Sequence, residues 1–261
     1  MNRSYIKYLN RALVVVFTII ALVLTINSSD SLEEVDFQKD NFVNLKIRSE
    51  LYACLGNQDT GDISNLEDIC IHAGTLSETT ASGLSIKRVD GKTYTLTAAH
   101  FCSVDVNQSI DVGIVTSEIW LVNNQGKMYQ GDIVYVDEST DLCLVSSDMP
   151  LEEDIVLSDS LPETGDKIYA ISSPLSISKD GVLLHFEGFF SGCNSRRICF
   201  YTIPATHGSS GSIVFNESGQ AIGMIQMVPV EFDSVSIGIG SDTISEFLRE
   251  ASRQLSVNVS I

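Results

Sequence analysis

From Ile69 onward the chain repeats one pattern, a short run of β-branched and aromatic residues followed by a turn signal, and this pattern leaves little room for anything but sheet. The first six runs are Gly83-Leu84-Ser85-Ile86, Tyr94-Thr95-Leu96-Thr97, Ile110 to Val115, Ile119-Trp120-Leu121-Val122, Asp132 to Val136 and Leu142 to Val145. Strands spaced this closely predict an all-β barrel or sandwich. Asp90-Gly91 and Gln125-Gly126 mark hairpin reversals, where glycine supplies the positive φ of a tight turn. A polar, proline-bearing break at Asp148 to Asp154 is followed by a second set of runs: Lys167 to Ile171, Gly181 to Phe190, Ile198 to Ile203, Ser212 to Phe215, Ala221 to Val228 and Ser236 to Ile239. This set predicts a second barrel. The pattern changes only at Ser241 to Glu250, where Ile244, Phe247, Leu248 and Ala251 fall at helical spacing behind an N-cap candidate and early acids. The expected organisation is an N-terminal targeting segment over 1–29, a linker with one docking element over 30–66, a first barrel over 67–150 and a second barrel with its closing helix over 151–261. Within the linker, Phe42-Val43-Asn44-Leu45-Lys46-Ile47 alternates like a strand or a short amphipathic helix.

The targeting segment carries Arg3, Lys7 and Arg11, and then the apolar run Ala12 to Ile26. This predicts an N-terminal hydrophobic helix that is either a signal peptide or a membrane anchor. Ser28 with Ile26 two residues before it makes a weak cleavage site, which favours an anchor held in the membrane through residues 12–26. Its basic flank puts residues 30–261 outside the cytoplasm. A net charge of −18 repels polyanions and excludes nucleic acid as a partner. Six cysteines in an exported chain predict disulfides, and Cys193 with Cys199, with five residues between them across a hairpin, is the first pair expected. The remaining connectivity stays open. No two cysteines have C-x-x-C spacing and the four histidines are scattered, so neither a metal nor a cofactor is expected.

Three segments carry chemistry: Thr97-Ala98-Ala99-His100, Thr140-Asp141-Leu142-Cys143-Leu144 and Gly208-Ser209-Ser210-Gly211-Ser212. They supply a base, a carboxylate to orient it and a hydroxyl nucleophile, which is the full inventory of a serine hydrolase triad. Asp105, Asp111, Asp132 and Asp137 lie in the same half as Asp141, but only Asp141 directly precedes an apolar strand that would bury its far side. Ser209 and Ser212 compete with Ser210, and neither is centred between glycines.

Tyr94-Thr95-Leu96-Thr97-Ala98-Ala99-His100, Asp137 to Val145 and Gly208-Ser209-Ser210-Gly211-Ser212, in this order, resemble the chymotrypsin-fold serine proteases over roughly residues 69–250. The wording is closest to the HtrA/Deg and bacterial trypsin-like branch. The resemblance implies two six-stranded antiparallel barrels and a serine endopeptidase acting on protein or peptide substrates through an acyl-enzyme. In it Ser210 attacks, His100 carries the proton and Asp141 holds the imidazole. The backbone N–H groups of Gly208 and Ser210 would form the oxyanion hole. It further implies a substrate pocket walled by Ala205, Thr206 and His207 and by Gln226, Met227 and Val228. No acid stands there, so a small or medium apolar side chain is the expected fit. Ser212 and Ile213 depart from the family's glycine and proline. Ser209 stands where other members have an aspartate, so activation by trimming of the N-terminus is not expected. An inactive protease-fold module that binds polypeptide is the alternative function. The order His, Asp, Ser and the lack of βαβ helices argue against an α/β-hydrolase esterase.

Overall fold

The computed structural model describes residues 38–54, 70–103, 107–110, 113–151, 153–177, 182–229 and 231–261. The N-terminal hydrophobic helix expected over residues 12–26 lies outside them. Among the described residues no helix is long and apolar enough to cross a membrane.

Strands β1 (Phe42–Cys54), β2 (Cys70–Val89), β3 (Lys92–Ala98), β4 (Asn107–Ile110), β5 (Gly113–Asn123), β6 (Met128–Asp137) and β7 (Leu142–Ser147) form one sheet. Its order β1-β2-β3-β7-β6-β5 closes into a six-stranded barrel through β1–β5 pairing, with β4 added on β5. The second sheet, β8 (Lys167–Ser172), β9 (Leu184–Cys193), β10 (Ile198–Tyr201), β11 (Ile213–Phe215), β12 (Ala221–Met227) and β13 (Ser236–Gly240), is a closed barrel in the order β10-β13-β12-β11-β8-β9. A short helix α1 (Ala99–Cys102) follows β3, and the closing helix α2 (Ser241–Leu255) follows β13.

The segment expected to be a docking element is β1 itself, paired along its length with β2 on one edge and β5 on the other. Period-two alternation sends Val43, Leu45 and Ile47 into the first barrel's core, while Phe42 joins the cluster between the barrels. The run Ile110 to Val115, expected as one strand, is divided between the end of β4 and the start of β5, where Ile110 pairs with Gly113. β-Branched residues at both tips of a hairpin imitate one continuous strand. The Asp90-Gly91 reversal is as expected, with φ of 51° and 83° at the two turn residues and Val89 paired to Lys92.

Among the described residues three apolar clusters hold the fold. One fills each barrel, and the third lies in the seam, where Leu84, Leu96 and Leu142 of the first barrel meet Ile213 and Phe215 of the second and Phe247 of α2. Burying each such side chain stabilises by about 1.5–3 kcal/mol, so the seam fixes the mutual position of the loops that cross it.

Candidate active site

Helix α1 buries Ala99, Phe101 and Cys102 and turns His100 outward, its side chain 53% exposed. Asp141 ends the turn between β6 and β7 with a left-handed φ of 53°. Its carboxylate accepts from His100 Nδ1 at 2.9 Å and 3.1 Å and from the His100 main-chain N–H at 2.8 Å. The Ala99 N–H donates to the Asp141 carbonyl at 3.1 Å. One residue thus holds both the ring and the backbone of the histidine. The hydrogen bond to Asp141 raises the His100 pKa above its ordinary value, partly offset by desolvation and reinforced by the carboxylate's charge.

Asp137 is occupied otherwise, accepting from the Ser139 N–H and hydroxyl and from the Thr140 hydroxyl, and so shapes the turn that presents Asp141. Burial would raise its pKa, but these hydrogen bonds together hold it below the ordinary carboxylate value. Asp132 lies on β6, and Asp105 and Asp111 lie outside the described residues.

A disulfide joins Cys102 to Cys143, and a second joins the expected pair Cys193 and Cys199 across the β9–β10 hairpin. Cys102 and Cys143 each stand two residues after His100 and Asp141. The separation of 41 residues is the same for both pairs, a signal in the sequence that the count of possible connectivities conceals. The bridge therefore staples α1 to β7 directly behind the histidine–aspartate pair.

The loop ahead of β11 turns at Gly208 (φ 90°) and Gly211 (φ 88°). Ser209 is buried and closes a turn with Thr206, and Ser212 is buried with its N–H on the Ser209 carbonyl, so the hydroxyl left at the surface is that of Ser210. Ser210 Oγ donates to the Gln226 carbonyl at 3.0 Å. Among the described residues no hydrogen bond joins it to His100, and the N–H groups of Gly208 and Ser210 have no acceptor.

Two residues that sequence reasoning did not single out for the site's construction tie the halves together. Ser82 on β2 donates its N–H to the Ser210 carbonyl (2.9 Å) and its hydroxyl to the Gly208 carbonyl (2.8 Å), while its own carbonyl accepts from Thr97 Oγ1 (2.8 Å). Gln226, expected to line a pocket, instead turns its buried amide onto the Thr140 and Asp141 carbonyls at 2.6 Å and 3.0 Å. Its carbonyl holds Ser210 and its side chain holds the aspartate turn. A buried amide inside the apolar strand Ala221–Met227 must find partners, and that was the signal available in the sequence. Of the other expected pocket residues, Ala205 is buried in the second barrel's core, whereas Thr206 and Val228 are half-buried and His207 and Met227 are exposed.

The family model of the trypsin-like peptidase domain matches residues 81–224, more than half of the chain. The crystal structure of the serine endoprotease from Yersinia pestis is similar at TM-score 0.60 and 16% identity, covering 85% of this chain and 66% of that one, so the chain spans just under two thirds of that protein. Rv3671c from M. tuberculosis H37Rv, in an inactive form with a serine-to-alanine mutation, is similar at TM-score 0.57 and 12% identity, over 84% of this chain and 90% of that one. A search among curated proteins finds no match. At these identities the two structures speak for the fold, and the family model, laid over the same two barrels, speaks for descent: the chain belongs to the family of trypsin-like peptidase domains.

Proposed function

We propose that the protein is a serine endopeptidase acting outside the cytoplasm on protein or peptide substrates. One observation carries the reading. An imidazole fixed through Nδ1 by a carboxylate is tied through Gln226 to a part-buried serine whose loop offers two unpaired N–H groups. In this reading Ser210 Oγ leaves the Gln226 carbonyl, turns to His100 Nε2, and attacks the substrate carbonyl as its proton passes to the imidazole. The N–H groups of Gly208 and Ser210 donate to the carbonyl oxygen as negative charge develops on it. Collapse expels the amine with the proton from His100, and water repeats the cycle to free the acid and Ser210. Leaving the Gln226 carbonyl costs about 0.5–1.5 kcal/mol, a small fraction of such a barrier. Thr206, His207, Met227 and Val228 are the surface residues we assign to the acyl-side pocket, with an apolar preference. The disulfides Cys102–Cys143 and Cys193–Cys199 suit an oxidising compartment, and the basic flank of residues 12–26 suits export.

The hydrogen bond from Ser210 to Gln226 favours a second reading, a polypeptide-binding module without turnover. A fluorophosphonate probe separates the two. Labelling of the native protein but not of Ser210→Ala is the expected result, whereas equal labelling of both, or of neither, leaves only the module.

The raised pKa of His100 sets the pH dependence. The base must be unprotonated, so kcat/KM falls as pH drops through a value above the ordinary 6.5 of histidine. The stability carried by the charged pair has the opposite sense, present below the unfolded value of 6.5 and lost as pH rises through the folded one. A pH–rate profile beside a pH series of thermal melts checks both signs.

Replacing Cys102 and Cys143 together by alanine removes a cross-link that closes a 41-residue separation. A loss of about 2–4 kcal/mol in denaturant unfolding is expected, with kcat falling more than KM rises, because α1 then frays from β7.

A further inference from the structure

We infer that Gln226 is a positioning residue: its amide clamps the two peptide planes on either side of Asp141 and so keeps the Asp141 carboxylate aimed at His100. The inference rests on the peptidase reading above for its kinetic consequences. It starts from the backbone of Asp141, whose φ of 53° lies in the left-handed region. A residue with a side chain enters that region at a cost and stays there only where its surroundings impose it. Asp137 pairs with Leu142 at the neck of the turn between β6 and β7, which leaves Glu138 to Asp141 as the loop. The first half of this loop is fixed from within, by the bonds that Asp137 accepts from Ser139 and Thr140. The second half is fixed from the other barrel.

Gln226 Nε2 donates to the Thr140 carbonyl at 2.6 Å and to the Asp141 carbonyl at 3.0 Å. These carbonyls belong to the peptide units before and after the Asp141 Cα. In an extended chain successive carbonyls point to opposite sides and one amide group cannot meet both, whereas in a helical conformation of either hand they point the same way. An amide bound to both therefore excludes the extended alternative, in which the carboxylate would swing away from His100. The Ala99 N–H, on the second lone pair of the Asp141 carbonyl, adds a third tie. Gln226 can turn to this task because it is the extra residue of a β-bulge. Ile225 pairs with Gly238 and Met227 with Ile237, so Gln226 lies opposite no residue of β13. The bulge points its buried side chain across the seam, while its main-chain carbonyl takes Ser210 Oγ at 3.0 Å. The clamp does not touch the carboxylate itself, whose oxygens, among the described residues, accept from His100 alone. What Gln226 controls is the aim of that group and not its charge.

The test is Gln226→Met in the full-length protein, which keeps the volume of the side chain and removes both donors. With rates counted per site titrated by a fluorophosphonate, kcat is expected to fall about 100-fold, the loss that goes with a misplacement of about 1 Å, and KM to stay within about twofold of the native value. Asp141 is the charged group that acts on His100, so the His100 ring, followed by NMR and identified with His100→Gln, is expected to titrate at lower pH in Gln226→Met than in the native protein. A glutamine that only stabilised the seam would lower the melting temperature on replacement and leave that titration in place. Native kcat in Gln226→Met, or an unmoved His100 titration, overturns the clamp and leaves the peptidase standing. If the variant does not fold, the native protein decides. Hydrogen-bond scalar couplings from Gln226 Nε2 to the carbonyl carbons of both Thr140 and Asp141 are expected in a labelled sample, and free exchange of either Nε2 proton overturns the clamp. Failure of the native protein to label with the fluorophosphonate overturns the peptidase instead, and the His100 titration still tests the clamp.

Discussion

Asp141→Asn is expected to lower kcat about 10⁴-fold with KM and fold nearly unchanged. The magnitude is the one known for this exchange in the serine-protease triad and is carried over to the proposed roles. The geometry explains why so small a change should matter here. The Asp141 carboxylate accepts from two donors of one residue, the His100 main-chain N–H and Nδ1–H. An asparagine can keep an oxygen for only part of that set, and its amide group beside Nδ1 favours the tautomer with the proton on Nε2, where it cannot take one from Ser210. The group that raises the His100 pKa is lost as well, so the residual activity should show its acid limb at lower pH than the native protein. Unchanged kcat, or an acid limb that does not move, would separate Asp141 from the reaction. Circular dichroism and a thermal melt of the variant control for folding.

Gly211→Ala is expected to cost about 4 kcal/mol of stability and to abolish measurable turnover in whatever fraction still folds. Gly211 has a left-handed φ of 88°, which costs a side-chain-bearing residue about 1–2 kcal/mol. A Cβ there would also overlap the Ser82 carbonyl oxygen and its carbon, which are backbone and cannot swing aside, as well as Thr97 Oγ1. Relieving that overlap means lifting the Gly208–Ser212 loop from β2, which breaks the bonds from Ser82 to Ser210 and Gly208. The same substitution at Gly91, whose φ is 83° with open space around it, carries the backbone penalty alone and is the matched control. Urea unfolding of the two variants should differ by about 2–3 kcal/mol. If they match, the close approach at Gly211 is not what holds the loop.

Most of the second barrel was readable along the chain because each of its strands is short and bounded by turn residues. The expected runs Lys167 to Ile171 and Ala221 to Val228 differ from β8 and β12 by single residues at their ends. Strand β1 was not readable as part of a barrel, since alternation at Phe42 to Ile47 is equally that of a lone strand, and only pairing on both edges makes it interior. His100, Asp141 and Ser210 could be nominated from local order. Asp141 stood out from Asp137 because the strand after it, Leu142–Ser147, is buried throughout. What could not be read is the connection between the halves. Ser82 reaches the Gly208 carbonyl across 126 positions and Gln226 reaches that of Asp141 across 85; a serine advertises no partner, and a glutamine in an apolar strand signals that it needs partners without saying which. The Cys102–Cys143 bridge was legible only as a shared spacing: the two cysteines follow His100 and Asp141 by the same two residues, so bringing one pair together brings the other.

The division of the proposed triad between two barrels gives the molecule a built-in delay. His100 and Asp141 are complete once β7 has been made, whereas Ser210 and the Gln226 that steadies it come from the last quarter of the chain and meet the earlier pair only when the barrels close on each other. On the proposed reading, a growing polypeptide with this layout cannot cleave its neighbours until its own two halves have met.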